Sequence, residues 1–289
     1  MKKQIKAILV RGMSLLFGRE GSKWNVGVKS IVREALSMKG FDESTVSVQT
    51  SRGEIGVYCV NDMTRWRAET MLSKEPETIE WINSFTDGDV LYDIGANVGI
   101  YSLYAAANRK IRVFSFEPLA ANYFLINKNI EINNLQDNIT AFCIALNDED
   151  LVSELHIQNT GFGSALSSFD TPVDHNGDQF FAKFKQGMIG MGLDNFIAKF
   201  TTQFPTHVKI DVDGIEDKII KGAQATLSDA RLKSLSVELD EDRPDYTNQV
   251  IADIEAAGLK LHSKRHAGIF EGTEYSNIYN YQFRRFEGN

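Results

Sequence analysis

One acid, one amide and two glycines in a short run carry the plainest chemistry in the chain: Asp93-Ile94-Gly95-Ala96-Asn97-Val98-Gly99. The run follows the apolar stretch Val90–Ile94 and opens the Ala-rich stretch Val98–Ala107, so it reads as strand, loop and helix. In a doubly wound sheet, ligands bind beyond the carboxyl ends of the strands. Gly95 and Gly99 let the backbone approach a ligand or take angles closed to other residues. Asn97 is expected to cap the following helix through its side chain. The dinucleotide fingerprint requires Gly at 97 and 100, where Asn97 and Ile100 stand, and no Walker loop is present. An acid ahead of the first glycine repels a pyrophosphate and suits a cation.

Glu117 ends the next apolar run, Ile111–Glu117, 22 residues past Gly95. A carboxylate there can accept from both hydroxyls of a ribose through strong charge-assisted bonds. A cationic ligand with a ribose and no phosphate points to S-adenosylmethionine, and Asp93 would take its ammonium directly or through water. The plain alternative is that Asp93 and Glu117 satisfy backbone amides at strand ends.

A second acidic group follows the fourth strand, His207–Val212: Asp211, Asp213 and Glu216. Glu238 ends the fifth, Leu235–Leu239, and can face the same crevice. Asp211, Asp213 and Glu216, together with Glu238, are the candidate bases for removing a hydroxyl proton. Lys209 shares a strand face with Asp211 and would orient or neutralise it. Asp211, Asp213 and Glu238 are also hard oxygen donors, so a magnesium site there is an open alternative. Asp213 and Glu216 also have capping-box spacing, and Asp240–Asp242 reads as a solvated turn before Pro244. The five histidines show no zinc-ligand spacing. His207 begins a strand and reads as structural, whereas His156 and His175 become bases only if a loop closes over the acceptor.

The elements that must position these groups form two regions. Residues 1–85 read as an accessory α+β extension: a basic helix, a hairpin of Thr45–Thr50 and Glu54–Val60, and a helix from Pro76. From 86 to 289, strands alternate with helices. Besides the strands above, Ile139–Ile144 is a third strand, and helices are expected over Leu119–Asn133, Ile215–Leu227 and Tyr246–Ala257. Strands Lys260–Ser263 and Ile278–Phe283 have no helix between them. The fold expected is Rossmann-like α/β: a doubly wound, mostly parallel seven-stranded sheet with an antiparallel C-terminal edge hairpin. Residues 146–192 interrupt the alternation; Leu151–Ile157 reads as an added strand, and the Phe-rich remainder as a lid or substrate loop.

Hydrophobic residues at 43% and charged residues at 24% exclude wholesale disorder. A net charge of −8 argues against a nucleic-acid partner. Residues 1–33 hold eight basic side chains and one acid, against 23 and 38 in the rest, so they carry +7 and the remainder −15. Ile5, Ile8, Leu9, Met13 and Leu16 recur at helical spacing. Packing on the main body is the first reading of this helix; peripheral contact with the inner membrane face is the second. Arg11 interrupts the apolar run a signal peptide needs, and no transmembrane helix is expected. Cys59 and Cys143 read as free thiols in the cytoplasm. The insertion's aromatics could form a homo-oligomer surface.

Several runs in order resemble the FkbM-type family of class I S-adenosylmethionine-dependent methyltransferases, over roughly residues 65–240. They are Arg67-Ala68-Glu69-Thr70, Lys74-Glu75-Pro76-Glu77-Thr78-Ile79, the run from Asp93 to Ser102, Phe116-Glu117-Pro118, the run from Lys209 to Glu216, and Lys221-Gly222-Ala223. Asp213 departs from the family, which more often has Glu there. The resemblance implies a cofactor site at Asp93, Gly95, Asn97, Gly99, Glu117 and Asp211. It implies methyl transfer to a hydroxyl of a saccharide or a natural-product scaffold. The alternative is a non-catalytic cofactor-binding module of a membrane-associated complex. A nicotinamide oxidoreductase is disfavoured by Asn97 and Ile100.

Overall fold

The computed structural model describes residues 45–286 apart from 175, 201, 267 and 274. The basic N-terminal helix with its membrane contact, and His175, lie outside the described residues. The chain divides between Ser44 and Thr45, and the unit Thr45–Asn289 holds everything below.

The unit opens with the expected hairpin, β1 (Thr45–Thr50) and β2 (Gly53–Tyr58), turning at Ser51 and Arg52. Helix α1 (Asp62–Glu69) follows, which the sequence reading lacked. Its start is a capping box: Asn61 Oδ1 accepts the Thr64 N–H at 2.8 Å, and the Thr64 hydroxyl oxygen accepts the Asn61 N–H at 3.1 Å. Helix α2 (Pro76–Asn83) starts at Pro76, where the missing N–H costs nothing. The alternation then begins with β3 (Val90–Ile94), α3 (Ile100–Ala106), β4 (Arg112–Phe116), α4 (Ala120–Ile132) and β5 (Ile139–Phe142). The interrupting segment supplies β6 (Ala145–Asn147), β7 (Leu151–Ile157), β8 (Ser167–Phe169) and β9 (Phe184–Gly192), ahead of α5 (Leu193–Phe200). The chain ends with β10 (His207–Ile210), α6 (Glu216–Lys221), α7 (Gln224–Ser228), β11 (Ser234–Asp240), α8 (Pro244–Ala256), β12 (Lys260–Arg265) and β13 (Ile278–Arg284).

Seven strands form one sheet in the order β12-β13-β11-β10-β3-β4-β5. Strands β11, β10, β3, β4 and β5 are parallel, and β13 runs antiparallel to both β11 and β12. The strand order therefore turns back between β3 and β10, and their carboxyl ends open a ligand crevice. Two apolar clusters cover the faces. One gathers the hairpin, α2 and α3 around Trp81, Leu91 and Leu103; the other joins Ile94, Val208, Val237 and Ile254. The hairpin and α2, read from sequence as accessory, thus pack in the same compact unit as the sheet.

Three expectations change. The strand expected over 139–144 stops at Phe142, because Ala145–Asn147 joins a second sheet, β6-β9-β7-β8. That sheet buries Leu155, Ile157, Phe169 and Met188, so most of the presumed loop is packed structure. The helix expected over 215–227 breaks into α6 and α7. At the break, Gly222 touches the Asn147 carbonyl so closely that a Cβ would lie 2.0 Å from it.

A polar strut crosses the amino ends of the central strands. His207 joins Asp89 Oδ2 at 3.1 Å and Ser234 Oγ at 2.7 Å; the Trp81 indole N–H donates to the same Oγ at 2.8 Å. The Lys233 ammonium donates to Asp89 Oδ1 at 2.6 Å, and Phe85 stacks on the imidazole with centroids 3.8 Å apart. Asp89, His207 and Ser234 are all buried, and the serine oxygen is already an acceptor, so this array holds α2 to the sheet and attacks nothing. Asp89→Ala should cost about 2–4 kcal/mol by leaving buried partners unpaired, read as a lower urea midpoint. An unchanged midpoint would contradict this role. Burial lowers the His207 pKa, and the His207 and Lys233 bonds lower that of Asp89 against its own burial. Both groups thus contribute stability that is present above their unfolded pKa values and lost on acidification, His207 below about pH 6.5.

Candidate active site

The cofactor loop leaves β3 at Ile94. A Cβ on Gly95 would lie 1.9 Å from the Asp211 carbonyl oxygen, and its φ of +79° lies where only glycine is at ease. Gly95 thus lets the loop touch the end of β10, which brings Asp93 and Asp211 into one cleft. Gly99, with φ +83°, is the N-cap of α3. The cap expected from the Asn97 side chain is not made. Asn97 has φ +50°; its N–H donates to Glu117 Oε2 at 2.8 Å, and its Nδ2 donates to the Ser164 carbonyl at 2.9 Å.

Asp93 is 1% exposed. Its Oδ2 accepts the Ser102 hydroxyl at 2.5 Å, while its Oδ1 is buried with no hydrogen-bond partner among the described residues. Burial raises its pKa, against the pull of Lys209 and Ser102. A buried acceptor left unpaired is costly unless a ligand completes it. Asp93 lines a cleft of about 430 Å³ together with Lys74, Tyr101, Lys209 and Asp211. Glu117 accepts the Leu119 N–H at 2.9 Å besides that of Asn97, and burial pushes its pKa up to about 8. A mostly apolar hollow of about 360 Å³ meets the cleft at Gly95, lined by Phe116, Pro118, Ile144 and Phe169.

The acids at the strand ends separate. Lys209, 1% exposed, places Nζ 2.5 Å from Asp211 Oδ2 and 5.0 Å from the Tyr101 ring centre. Burial opposes the Asp211 charge, but Lys209 and then Lys74 outweigh it and hold the pKa at about 2. Glu238 hydrogen-bonds Asp211. Its own pKa is raised by burial and by the Asp211 charge, so Glu238 keeps the proton and Asp211 is the anion. Asp213 is not in this group. Its Oδ2 accepts the N–H of Leu166 at 2.6 Å and of Ser167 at 3.3 Å. Nor does it form the expected capping box: α6 starts after Ile215, and Glu216 accepts from the Gly214 N–H and the Tyr246 hydroxyl.

The third member of the cluster is Glu75, which sequence reasoning passed over as part of a motif. Glu75, Asp211 and Glu238 bring carboxylate oxygens within 4.8 Å of one another. This corrects the set Asp211, Asp213 and Glu238, because Asp213 is turned to the insertion. The corrected set does not fit magnesium either. Lys74 Nζ lies 2.5 Å from Glu75 Oε1, as Lys209 does from Asp211, so two of the three carboxylates already hold an ammonium.

Part of the insertion spans the crevice. The Ser164 carbonyl accepts from Asn97 and Asn122, the Gly163 carbonyl from Arg67 Nε at 2.8 Å, and the Phe162 carbonyl from Asn61 Nδ2 at 2.9 Å. With Asp213 holding Leu166, residues 162–167 form a strap from α1 across the cofactor loop to the end of β10. His156 lies in β7 with Nε2 3.2 Å from the Asp170 carbonyl and does not line the cleft.

A model of the methyltransferase FkbM domain matches residues 93–261, more than half of the chain. The chain belongs to the FkbM methyltransferase family. Its seven-stranded sheet is the one expected of class I methyltransferases. Among solved structures it is similar to methyltransferase FkbM from Methylobacillus flagellatus KT, at 15% identity and a TM-score of 0.48. That match covers 88% of this chain and 60% of the other, so the chain spans less than two thirds of that relative. It is also similar to precorrin-6y C5,15-methyltransferase from Geobacter metallireducens GS-15, at 16% identity and a TM-score of 0.42, covering 76% and 89% of the two chains. A third is TrmK from M. capricolum in complex with S-adenosyl-homocysteine, at 8% identity, TM-score 0.41 and coverage of 72% and 68%. No curated protein matches the chain. Among the described residues, no helix is long and apolar enough to cross a membrane.

Proposed function

We propose that this methyltransferase methylates a hydroxyl of a saccharide, in a glycan, nucleotide-sugar or glycolipid, with the cofactor lying across the carboxyl ends of β3, β4 and β10. The observation that carries the cofactor placement is the buried, unpaired Asp93 Oδ1 in the cleft. Asp93 would take the cofactor's ammonium, Glu117 its ribose hydroxyls, and the apolar hollow at Pro118 and Ile144 its adenine. Bound there, S-adenosylmethionine supplies an electrophilic methyl group on a sulfonium.

The chain's own residues do the rest. Asp211, fixed by Lys209, takes the proton of the acceptor hydroxyl as the new O–C bond forms. An oxygen gaining a methyl group becomes strongly acidic, so a carboxylate with a pKa of about 2 serves as base. Beside the groups left to the cofactor, Tyr101 and Asp211 offer a hydroxyl and a carboxylate to the cleft, which supports a hydroxylated acceptor over an apolar one. The acidic balance of the chain and the carboxylate cluster support a saccharide over a nucleic acid. Incubation with methyl-tritiated cofactor and panels of nucleotide-sugars, glycans, glycolipids and tRNA tests this. Base-stable label in a saccharide is expected; label confined to tRNA, or released by mild base as from an ester, would overturn it.

Glu117 gives a pH dependence. In the free protein it is half protonated near pH 8, and ribose hydroxyls donating to it favour the carboxylate. Cofactor affinity should therefore rise with pH from about 6.5 to 8.5, with proton release on binding. Calorimetry in buffers of different ionisation enthalpy measures both. A flat profile would remove Glu117 from the ribose site.

A further inference from the structure

The amino-acid end of the cofactor is a zwitterion, and Asp93 answers only its ammonium. The α-carboxylate requires a cation in the same cleft, where three basic side chains are found: Arg67, Lys74 and Lys209. Lys209 is almost wholly enclosed and bonded to Asp211. Arg67 donates through Nε to the Gly163 carbonyl of the strap. Lys74 keeps a side chain 19% exposed, with Nζ 2.5 Å from Glu75 Oε1 and 5.5 Å from the Phe270 ring centre. An ammonium has three donors, and the Glu75 bond uses one.

We propose that Lys74, oriented by Glu75, binds the α-carboxylate of the cofactor's methionine moiety. The assignment rests on the cofactor placement above. Glu75 is the positioning residue. It is 1% exposed, is the residue before the Pro76 that starts α2, and accepts the Thr78 hydroxyl at 3.2 Å. Its carboxylate also hydrogen-bonds the Tyr101 phenol, so it fixes two groups that line the cleft. Burial pulls the Lys74 pKa down, but Glu75 and then Asp211 outweigh it, and the pKa is raised. Lys74 thus stays protonated, with two N–H donors beyond its Glu75 bond, in the cleft that holds the acid for the ammonium, a pairing that selects an amino acid from other adenosyl ligands.

Two ligands separate this contact from the rest of the site: S-adenosylhomocysteine, and 5′-methylthioadenosine, which has the same nucleoside and thioether but no amino acid. Both are titrated calorimetrically into wild type, Lys74→Met, Lys74→Arg, Glu75→Gln and Arg67→Gln. Lys74→Met should weaken S-adenosylhomocysteine by about 10- to 100-fold, the size of a charged hydrogen bond, and leave 5′-methylthioadenosine within about 2-fold. Lys74→Arg should restore most of the difference, and Glu75→Gln should give a smaller loss with the same selectivity. Unchanged S-adenosylhomocysteine affinity in Lys74→Met would overturn the proposal, as would equal loss of both ligands there with no rescue by Lys74→Arg. The selective loss appearing in Arg67→Gln instead would move the contact to Arg67. Wild-type protein that binds neither ligand would remove the cofactor placement itself, a different failure.

Discussion

Asp93→Asn should weaken S-adenosylmethionine binding by about 10²- to 10³-fold and leave the protein folded. The substitution keeps the shape and a hydrogen-bond acceptor for Ser102, so the local structure has no cause to collapse. What it removes is a charge at an oxygen that has no hydrogen-bond partner among the described residues. Truncating one side of a buried, hydrogen-bonded charge pair typically costs about 2–5 kcal/mol, which spans the expected loss. Calorimetry gives the affinity, and a urea midpoint at or above that of wild type shows that the fold survives. The midpoint should rise slightly, because the carboxylate is buried without a full set of partners. Near-wild-type affinity would mean that Asp93 serves only Ser102 and the end of β3.

Asp211→Asn should lower kcat by about 10²- to 10⁴-fold, the usual range for a positioned base, with cofactor affinity changed far less. The amide retains the geometry but cannot take a proton. The substitution has a second consequence. Lys209 loses its nearest counter-charge in a fully enclosed position, so the protein should also be measurably less stable. The split between kcat and affinity separates the two effects, because a loss through instability alone leaves the kcat of the folded fraction unchanged. Wild-type kcat in this variant would take Asp211 out of the proton path.

Much of this arrangement was legible in the sequence, and the reasons differ by element. Strand β3 and its loop were readable because a buried parallel strand is a continuous apolar run and the glycines mark a forced backbone. The Lys209–Asp211 pair was readable because residues two apart on a strand share a face. Asn97 and Asp213 were misread in the same way. Local spacing made Asn97 a helix cap and Asp213 a cap or a base, whereas the structure spends both side chains on the strap of residues 162–167, more than 40 residues away in sequence. Helix α1 escaped notice because its box has Thr64 where a glutamate or glutamine is the familiar signal. Glu75 escaped because nothing in its neighbourhood announces that α2 will carry its first residues to the ends of β10 and β11. Contacts between elements distant in sequence are set by the sheet order, and only the folded sheet shows them.

Calorimetric titration of the wild-type protein with S-adenosylmethionine and, in parallel, with NAD tests the crevice most directly. A single site for S-adenosylmethionine is expected, with affinity that rises between about pH 6.5 and 8.5, and no heat from NAD. Binding of NAD, or no binding of S-adenosylmethionine across that range, would contradict the assignment of the Asp93 and Glu117 crevice as its site.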